Sequence, residues 1–101
     1  LLSSYGGLFP GKTREFFQYG VDKNWDKLFP MMATYNEVMI AFDEPTLARE
    51  GIDGCYDKMI VRGSGIDMPL RMLSPYQCFD MEVYEAVMRN MRERYPDWLE
   101  E

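Results

Sequence analysis

The last quarter of the chain, residues 74–101, constrains the fold most strongly, because its apolar residues recur at helical spacing. These residues are Tyr84, Val87, Met88, Met91 and Tyr95. Charged residues fill the positions between them, and neither glycine nor proline occurs there before Pro96. The pattern predicts a long amphipathic helix whose apolar side packs on another surface. That side carries no reactive group.

The start of this helix is predicted at Ser74 and Pro75. A serine at the N-cap can accept a hydrogen bond from the amide three residues on, and proline at the first helical position lacks a donor that would stay unpaired. Gln77 can reach back to the serine amide. At the other end, Pro96 interrupts the helix.

Shorter helices separated by glycine and proline are predicted in the rest of the chain, after an irregular segment over residues 1–10. They span residues 12–19, 22–30, 34–42 and 53–62. Gly20 ends the first of them, Asp22 caps the second and Pro30 stops it. Residues 43–45, Asp-Glu-Pro, close the third, and Gly-Ser-Gly at 63–65 breaks the fourth.

No long alternation of apolar and polar residues calls for a sheet, although Met-Ile-Val at residues 59–61 also fits a strand. We therefore predict a single all-α domain over residues 1–101, with several short helices and a longer C-terminal amphipathic helix.

Composition narrows the possible functions. The formal charge is −6, which disfavours binding to nucleic acid because phosphate backbones would repel the chain. No apolar run is long enough to span a bilayer. Aromatic residues make up 15% of the chain, and there are nine methionines. These adaptable residues exceed the needs of a small core, so some of them are expected to cover a partner.

Residues 6–13 read G-G-L-F-P-G-K-T and match the phosphate-binding loop pattern G-x-x-x-x-G-K-T. A functional loop of this kind needs a buried strand before it, a helix after it and a parallel sheet carrying an Asp for the metal. Only five residues precede Gly6, and no β-α-β pattern follows. We interpret the match as chance and expect no nucleotide binding.

Catalytic chemistry is disfavoured because the chain contains no histidine. Asp53 and Asp57 would share one helical face, and a solvated charged face explains them better than an acid–base pair. Gly-Ser-Gly at 63–65 fits an ordinary turn better than an anion-binding nest. Cys55 and Cys78 could form one bridge, but two reduced, partly buried thiols are the favoured interpretation. We expect no enzyme activity, no cofactor and no metal.

Five blocks, taken in order, resemble one known family. They are Tyr19-Gly20-Val21 with residues 25–29 (W-D-K-L-F), residues 36–45 (N-E-V-M-I-A-F-D-E-P), residues 56–63 (Y-D-K-M-I-V-R-G), residues 73–77 (L-S-P-Y-Q), and residues 84–87 (Y-E-A-V) with 92–94 (R-E-R). The family is the small helical seventh subunit of mitochondrial ubiquinol–cytochrome c reductase, respiratory complex III, historically labelled ubiquinone-binding protein. The chain departs from it in its acidic character, in Asp-Glu-Pro where the family has Arg-Leu-Pro, and in the Gly-Ser-Gly break.

The resemblance implies a non-catalytic accessory subunit on the matrix side of the mitochondrial inner membrane, peripheral to the membrane. Its implied partners are cytochrome b and the core subunits, its implied role is assembly and stability, and no specific quinone contact is carried over. Two alternatives remain open: a subunit of another mitochondrial complex, such as complex I or ATP synthase, and a free-standing acidic inhibitor of a basic surface.

Aromatic and large apolar residues outside the closing helix are the candidates for partner-facing or anchoring roles, and Trp98-Leu99 is expected to form a terminal apolar anchor. The candidates are Phe16, Phe17, Trp25, Met39, Phe42, Trp98 and Leu99.

Overall fold

A computed structural model describes residues 3–49, 51 and 53–99. The described residues contain five α-helices, two 3-10 helices and no strand, so the predicted all-α class is confirmed. In chain order the elements are a 3-10 helix Ser4–Gly7, α1 Pro10–Val21, α2 Trp25–Asp43, a 3-10 helix Glu44–Thr46, α3 Asp53–Gly63, α4 Met81–Arg94 and α5 Pro96–Leu99.

The first helix, α1, is longer at both ends than predicted. It begins at Pro10, which needs no backbone donor at a helix start, so residues 1–10 are not irregular throughout. It also passes through Gly20 and ends at Val21. Asp22 is the C-cap residue of α1 and not the N-cap of the next helix. Its carboxylate accepts a hydrogen bond from Gln18 Nε2 at 3.0 Å.

Pro30 lies inside α2 and does not end it, so the two helices predicted over residues 22–30 and 34–42 are one helix. Proline near the start of a helix removes a single backbone hydrogen bond. The Thr34 hydroxyl donates to the Pro30 carbonyl at 3.2 Å in the following turn. The second half of the helix buries Tyr35, Val38, Ala41 and Phe42, and this burial outweighs the local cost of the proline.

The third helix, α3, confirms the prediction over residues 53–62 and extends it to Gly63; residues 59–61 are helical and not a strand. After it the chain turns, with the Ser64 amide donating to the Ile60 carbonyl at 3.0 Å. Gly65 has a φ of +105°, a conformation that glycine adopts without steric cost. Gly-Ser-Gly at 63–65 is therefore an ordinary turn.

The start of α4 differs from the prediction. The helix begins at Met81, where the Asp80 carboxylate accepts from the Val83 amide at 3.0 Å and caps the first turn. Ser74, Pro75 and Gln77 precede it in a non-helical segment, residues 64–80. The residues from Ser74 to Cys78 follow α3 instead of forming helical turns, so the helix begins seven residues later than predicted.

The segment over residues 64–80, which we call the strap, runs along α3. Lys58 Nζ donates to the Arg71 carbonyl, and Arg62 donates to the Met68 carbonyl at 3.0 Å. Leu70 between them is buried, whereas its neighbours Pro69 and Arg71 are exposed. The strap is therefore a non-helical segment with a turn at residues 73–76 and one side against the helix.

Phe9 lies at the centre of the hydrophobic core. Its ring is fully buried and makes edge contacts with Tyr35 at 5.5 Å and Trp98 at 5.0 Å between ring centroids. These contacts bring the N-terminal segment, α2 and α5 together. The rest of the fully buried apolar core comes from α2, α3 and α4, with Val38, Ala41, Phe42, Cys55, Met59, Val87 and Met91.

Two polar contacts fix the C-terminal end of α2. The Tyr5 hydroxyl donates to the Asp43 carboxylate at 2.7 Å, and Asn90 Nδ2 on α4 donates to the Ala41 carbonyl at 2.6 Å. Burial, together with the hydrogen bond to Asp43, raises the pKa of the Tyr5 hydroxyl above its ordinary value of about 10. Among the described residues, no helix is both long and apolar enough to cross a membrane.

Replacing Phe9 tests the central position of its ring. We expect Phe9→Ala to lower the free energy of unfolding by about 3–5 kcal/mol, because it removes a fully buried ring and leaves a cavity. The matched control Phe17→Ala alters an exposed ring and should change stability by no more than about 0.5 kcal/mol. Urea unfolding followed by circular dichroism measures both. Equal losses in the two variants would contradict the core described above.

Alkaline pH tests the Tyr5–Asp43 contact. The folded-state pKa of Tyr5 lies above the unfolded value, so its stabilising contribution is complete below about pH 10 and is lost as the pH rises beyond that value. We expect Tyr5→Phe to be less stable than the parent by about 1–2 kcal/mol at pH 7, and to lose stability less steeply above pH 10. Urea unfolding at pH 7, 9, 10 and 11 measures this difference. Parallel pH profiles would rule out the assigned role of Tyr5.

Candidate functional site: an aromatic surface on the α1–α2 hairpin

The helices α1 and α2 fold back on each other through residues 22–24. In this connection Lys23 adopts a φ of +56°, and the Asn24 amide donates to the Tyr19 carbonyl at 2.9 Å. Phe16 packs on Tyr35 at 5.5 Å between ring centroids, and Lys27 Nζ lies 5.9 Å from the centre of the Tyr19 ring. These contacts fix the two helices as a hairpin.

This hairpin exposes large apolar side chains at helical spacing on each of its helices. Phe17 and Val21 lie four residues apart on α1, and Trp25, Phe29 and Met32 follow with separations of four and three residues on α2. The five side chains are each between 44% and 57% exposed. Trp25 and Phe29 stack with ring centroids 5.8 Å apart. We call these five residues the hairpin surface.

A shallow groove adjoins the hairpin surface and shares Met32 with it. Its volume is about 400 Å³, and Phe16, Tyr35 and Met39 supply apolar parts of its lining. The groove also has a polar edge, where the Ser3 hydroxyl and the Tyr35 hydroxyl form a hydrogen bond of 2.5 Å. The surface and the groove therefore combine apolar area with a few polar groups, a composition typical of protein-binding sites.

Five of the seven residues predicted to face a partner have some access to solvent. Phe17 and Trp25 are exposed members of the hairpin surface, and Phe16 and Met39 are half-buried in the groove. Leu99 is partly buried and packs against the core at the end of α5, away from the hairpin surface.

Phe42 and Trp98 require a correction, because both belong to the core of the chain itself. Phe42 is fully buried and packs edge-on against Tyr5 at 5.3 Å. Trp98 is 7% exposed and packs against Phe9 and Tyr35. Trp98 does anchor the terminal helix, but it anchors that helix to this chain, and neither side chain faces a partner.

Three members of the hairpin surface were not among the predicted partner-facing residues: Val21, Phe29 and Met32. The helical spacing from Phe17 to Val21 and from Trp25 through Phe29 to Met32 was present in the sequence. Dividing the chain at Gly20 and Pro30 concealed it, because the division assigned neighbouring members of the surface to separate short elements.

The sequence that matches a phosphate-binding loop does not have that architecture here. Gly6 and Gly7 belong to a 3-10 helix, and no strand precedes them within the described residues. A Cβ at Gly6 would lie 3.2 Å from Thr13 Cγ2, so this glycine permits close packing against α1. Lys12 Nζ lies 3.9 Å from the Glu15 carboxylate.

The described residues offer little else for catalysis. No group of three or more potential metal ligands occurs among them. Asp57 is exposed on α3, and Arg62 forms an ion pair with Asp67 at 3.1 Å.

Both cysteines are free; Cys55 is buried and Cys78 is exposed, so the predicted partial burial does not hold for Cys78. A hydrogen bond to Glu15 raises the pKa of the Tyr19 hydroxyl.

Comparison of this chain with protein-family models, with curated proteins and with solved structures finds no match.

The two tryptophans provide a test of the hairpin surface. Trp98→Phe leaves Trp25, which is 48% exposed, and Trp25→Phe leaves Trp98, which is 7% exposed. We expect acrylamide to quench the fluorescence of Trp25 at least about threefold more efficiently than that of Trp98, because a collisional quencher must reach the indole. Similar Stern–Volmer constants would contradict the exposure of the hairpin surface. Circular dichroism confirms that both variants remain folded.

Proposed function

We propose that this chain is a non-catalytic subunit that binds neighbouring proteins through the hairpin surface. The observation that carries the proposal is the set of five exposed apolar side chains on the α1–α2 hairpin, including the stacked pair Trp25 and Phe29. Exposed aromatic residues of this kind are enriched at the centres of protein interfaces. The isolated subunit would leave them in water, and a partner would cover them.

Respiratory complex III is the assembly we propose for it, on the matrix side of the mitochondrial inner membrane. The support is the ordered resemblance to the family of the seventh subunit. The block of this resemblance over residues 56–63 lies on α3, and the last block, residues 84–87 with 92–94, lies on α4. The block over residues 73–77 lies in the strap. Cytochrome b and the core subunits are the proposed partners. The proposed role is to support the assembly and stability of the complex.

Two aspartate substitutions test the hairpin surface in cells that express the tagged chain. We expect Phe17→Asp with Trp25→Asp to reduce the fraction of chain in the large complex at least about tenfold, because charge in a desolvated contact costs more than 1.4 kcal/mol. Native gel electrophoresis and immunoblotting measure the fraction. Leu47→Asp is the matched control, since Leu47 is 79% exposed outside the hairpin surface. It should assemble normally.

The same experiment distinguishes the assemblies. Haem b and haem c that co-purify with the parent chain support complex III, whereas their absence from a purified large complex would point to complex I or ATP synthase. A stable monomer whose partner binding weakens with salt would instead identify an acidic inhibitor. Normal assembly of the double variant would overturn the role of the hairpin surface. Trp98→Asp is unsuitable here because it places a charge in the core.

A further inference from the structure

A hydrogen bond brings the two cysteines of the chain close together. Cys55 lies on α3, where its side chain is 1% exposed and its Sγ donates to the Gln77 carbonyl at 2.9 Å. Gln77 directly precedes Cys78, whose side chain is exposed. A buried thiol on α3 and an accessible thiol on the strap therefore belong to residues that lie close together.

Peptide geometry bounds the distance between them. A carbonyl oxygen lies about 2.8 Å from the following Cα in a trans peptide, which places Cys55 Sγ within about 6 Å of the Cys78 Cα. A disulfide requires Cα atoms about 4.4–6.8 Å apart and Cβ atoms about 3.5–4.5 Å apart. Because the Sγ of Cys55 lies about 2.8 Å from its own Cα, the two Cα atoms are at most about 8.5 Å apart. Closing the disulfide therefore requires a shift of about 2 Å in the strap, rotation of the exposed Cys78 side chain toward α3, and loss of the hydrogen bond to Gln77.

The chain on either side of Cys78 allows that shift without releasing the strap. Residues 76–79 belong to no helix, so no helical hydrogen bonds resist the adjustment. Phe79 is buried and packs edge-on against Tyr56, the neighbour of Cys55, with ring centroids 5.0 Å apart. This contact holds Cys78 beside α3 in the reduced protein.

We propose that Cys55 and Cys78 form a reversible dithiol–disulfide pair that takes low-molecular-weight disulfides, such as oxidised glutathione, as its oxidant. The exposed Cys78 thiolate attacks the small disulfide, forms a mixed disulfide and releases one small thiolate. The Cys55 thiolate then attacks the Cys78 sulfur and releases the second. The protein loses two protons and two electrons, and the small disulfide is reduced to two thiols.

Oxidation of this pair covalently joins the strap to α3. The strap carries exposed Ile66, Leu73 and Tyr76, and in the reduced protein it is held by side-chain hydrogen bonds and by Leu70 and Phe79. A disulfide between residues 55 and 78 closes a loop that contains nearly the whole strap. The redox state would thereby set how far this segment can move away from the helix.

Oxidised glutathione, added to the reduced full chain, tests the proposal. We expect an intact mass lower by two hydrogen atoms, and a non-reducing tryptic digest that joins the peptides of residues 50–58 and 72–89. The melting temperature should rise by about 5–10 °C on oxidation and return on reduction, because the loop constrains the unfolded chain.

Cys78→Ser is the matched control, since its side chain is exposed and the substitution leaves the core intact. It should show no change in mass and no rise in melting temperature. The proposal would be overturned by a parent chain that stops at a mixed disulfide on Cys78, or that forms dimers through Cys78 while Cys55 remains a thiol. A linked peptide pair without a rise in melting temperature would contradict the proposed constraint on the strap.

Discussion

The edge-on packing of Phe9 between Tyr35 and Trp98 is the contact on which the rest of the structure depends. These three rings come from the segment before α1, from the middle of α2 and from α5. No single helix of a chain this short buries much apolar area alone, so stability depends on joining distant segments. The three rings also contact one another pairwise, so the loss of one ring removes an aromatic neighbour from each of the other two.

Trp98 and Phe42 are buried in the core, whereas other aromatic residues remain exposed on the surface. Residues of the same type differ in burial according to their position on a helix. On α2, for example, Phe42 faces the core and Phe29 faces solvent. The groups that remain exposed at the hairpin are adjacent along α1 and α2. A single exposed apolar residue would need no explanation, but five with helical spacing on two neighbouring helices are a candidate for binding.

The helical class and the approximate places of α3 and α4 could be predicted from the sequence because they depend on local periodicity. The predictions that were wrong concern features that depend on tertiary contacts. Pro30 is accommodated because the later part of α2 is buried, and Ser74 does not begin a helix because the strap instead follows α3. The burial of Trp98 could not be predicted either, since it requires Phe9, nearly ninety residues earlier in the chain.

The strap is held in place mainly by hydrogen bonds from side chains of α3, unlike the helices, which are held together by apolar packing. Cys55, Lys58 and Arg62 are spaced by three and four residues, so they lie along one side of α3. Their side chains donate to the carbonyls of residues 77, 71 and 68, in reverse order along the chain.

The strap must therefore run antiparallel to α3, with its direction set by polar side chains and its depth by Leu70 and Phe79. Non-helical backbone that lacks a neighbouring strand leaves carbonyls in need of donors, and three side chains of α3 donate to carbonyls of the strap. This requirement explains why a thiol, an ammonium group and a guanidinium group occupy one side of an otherwise ordinary helix.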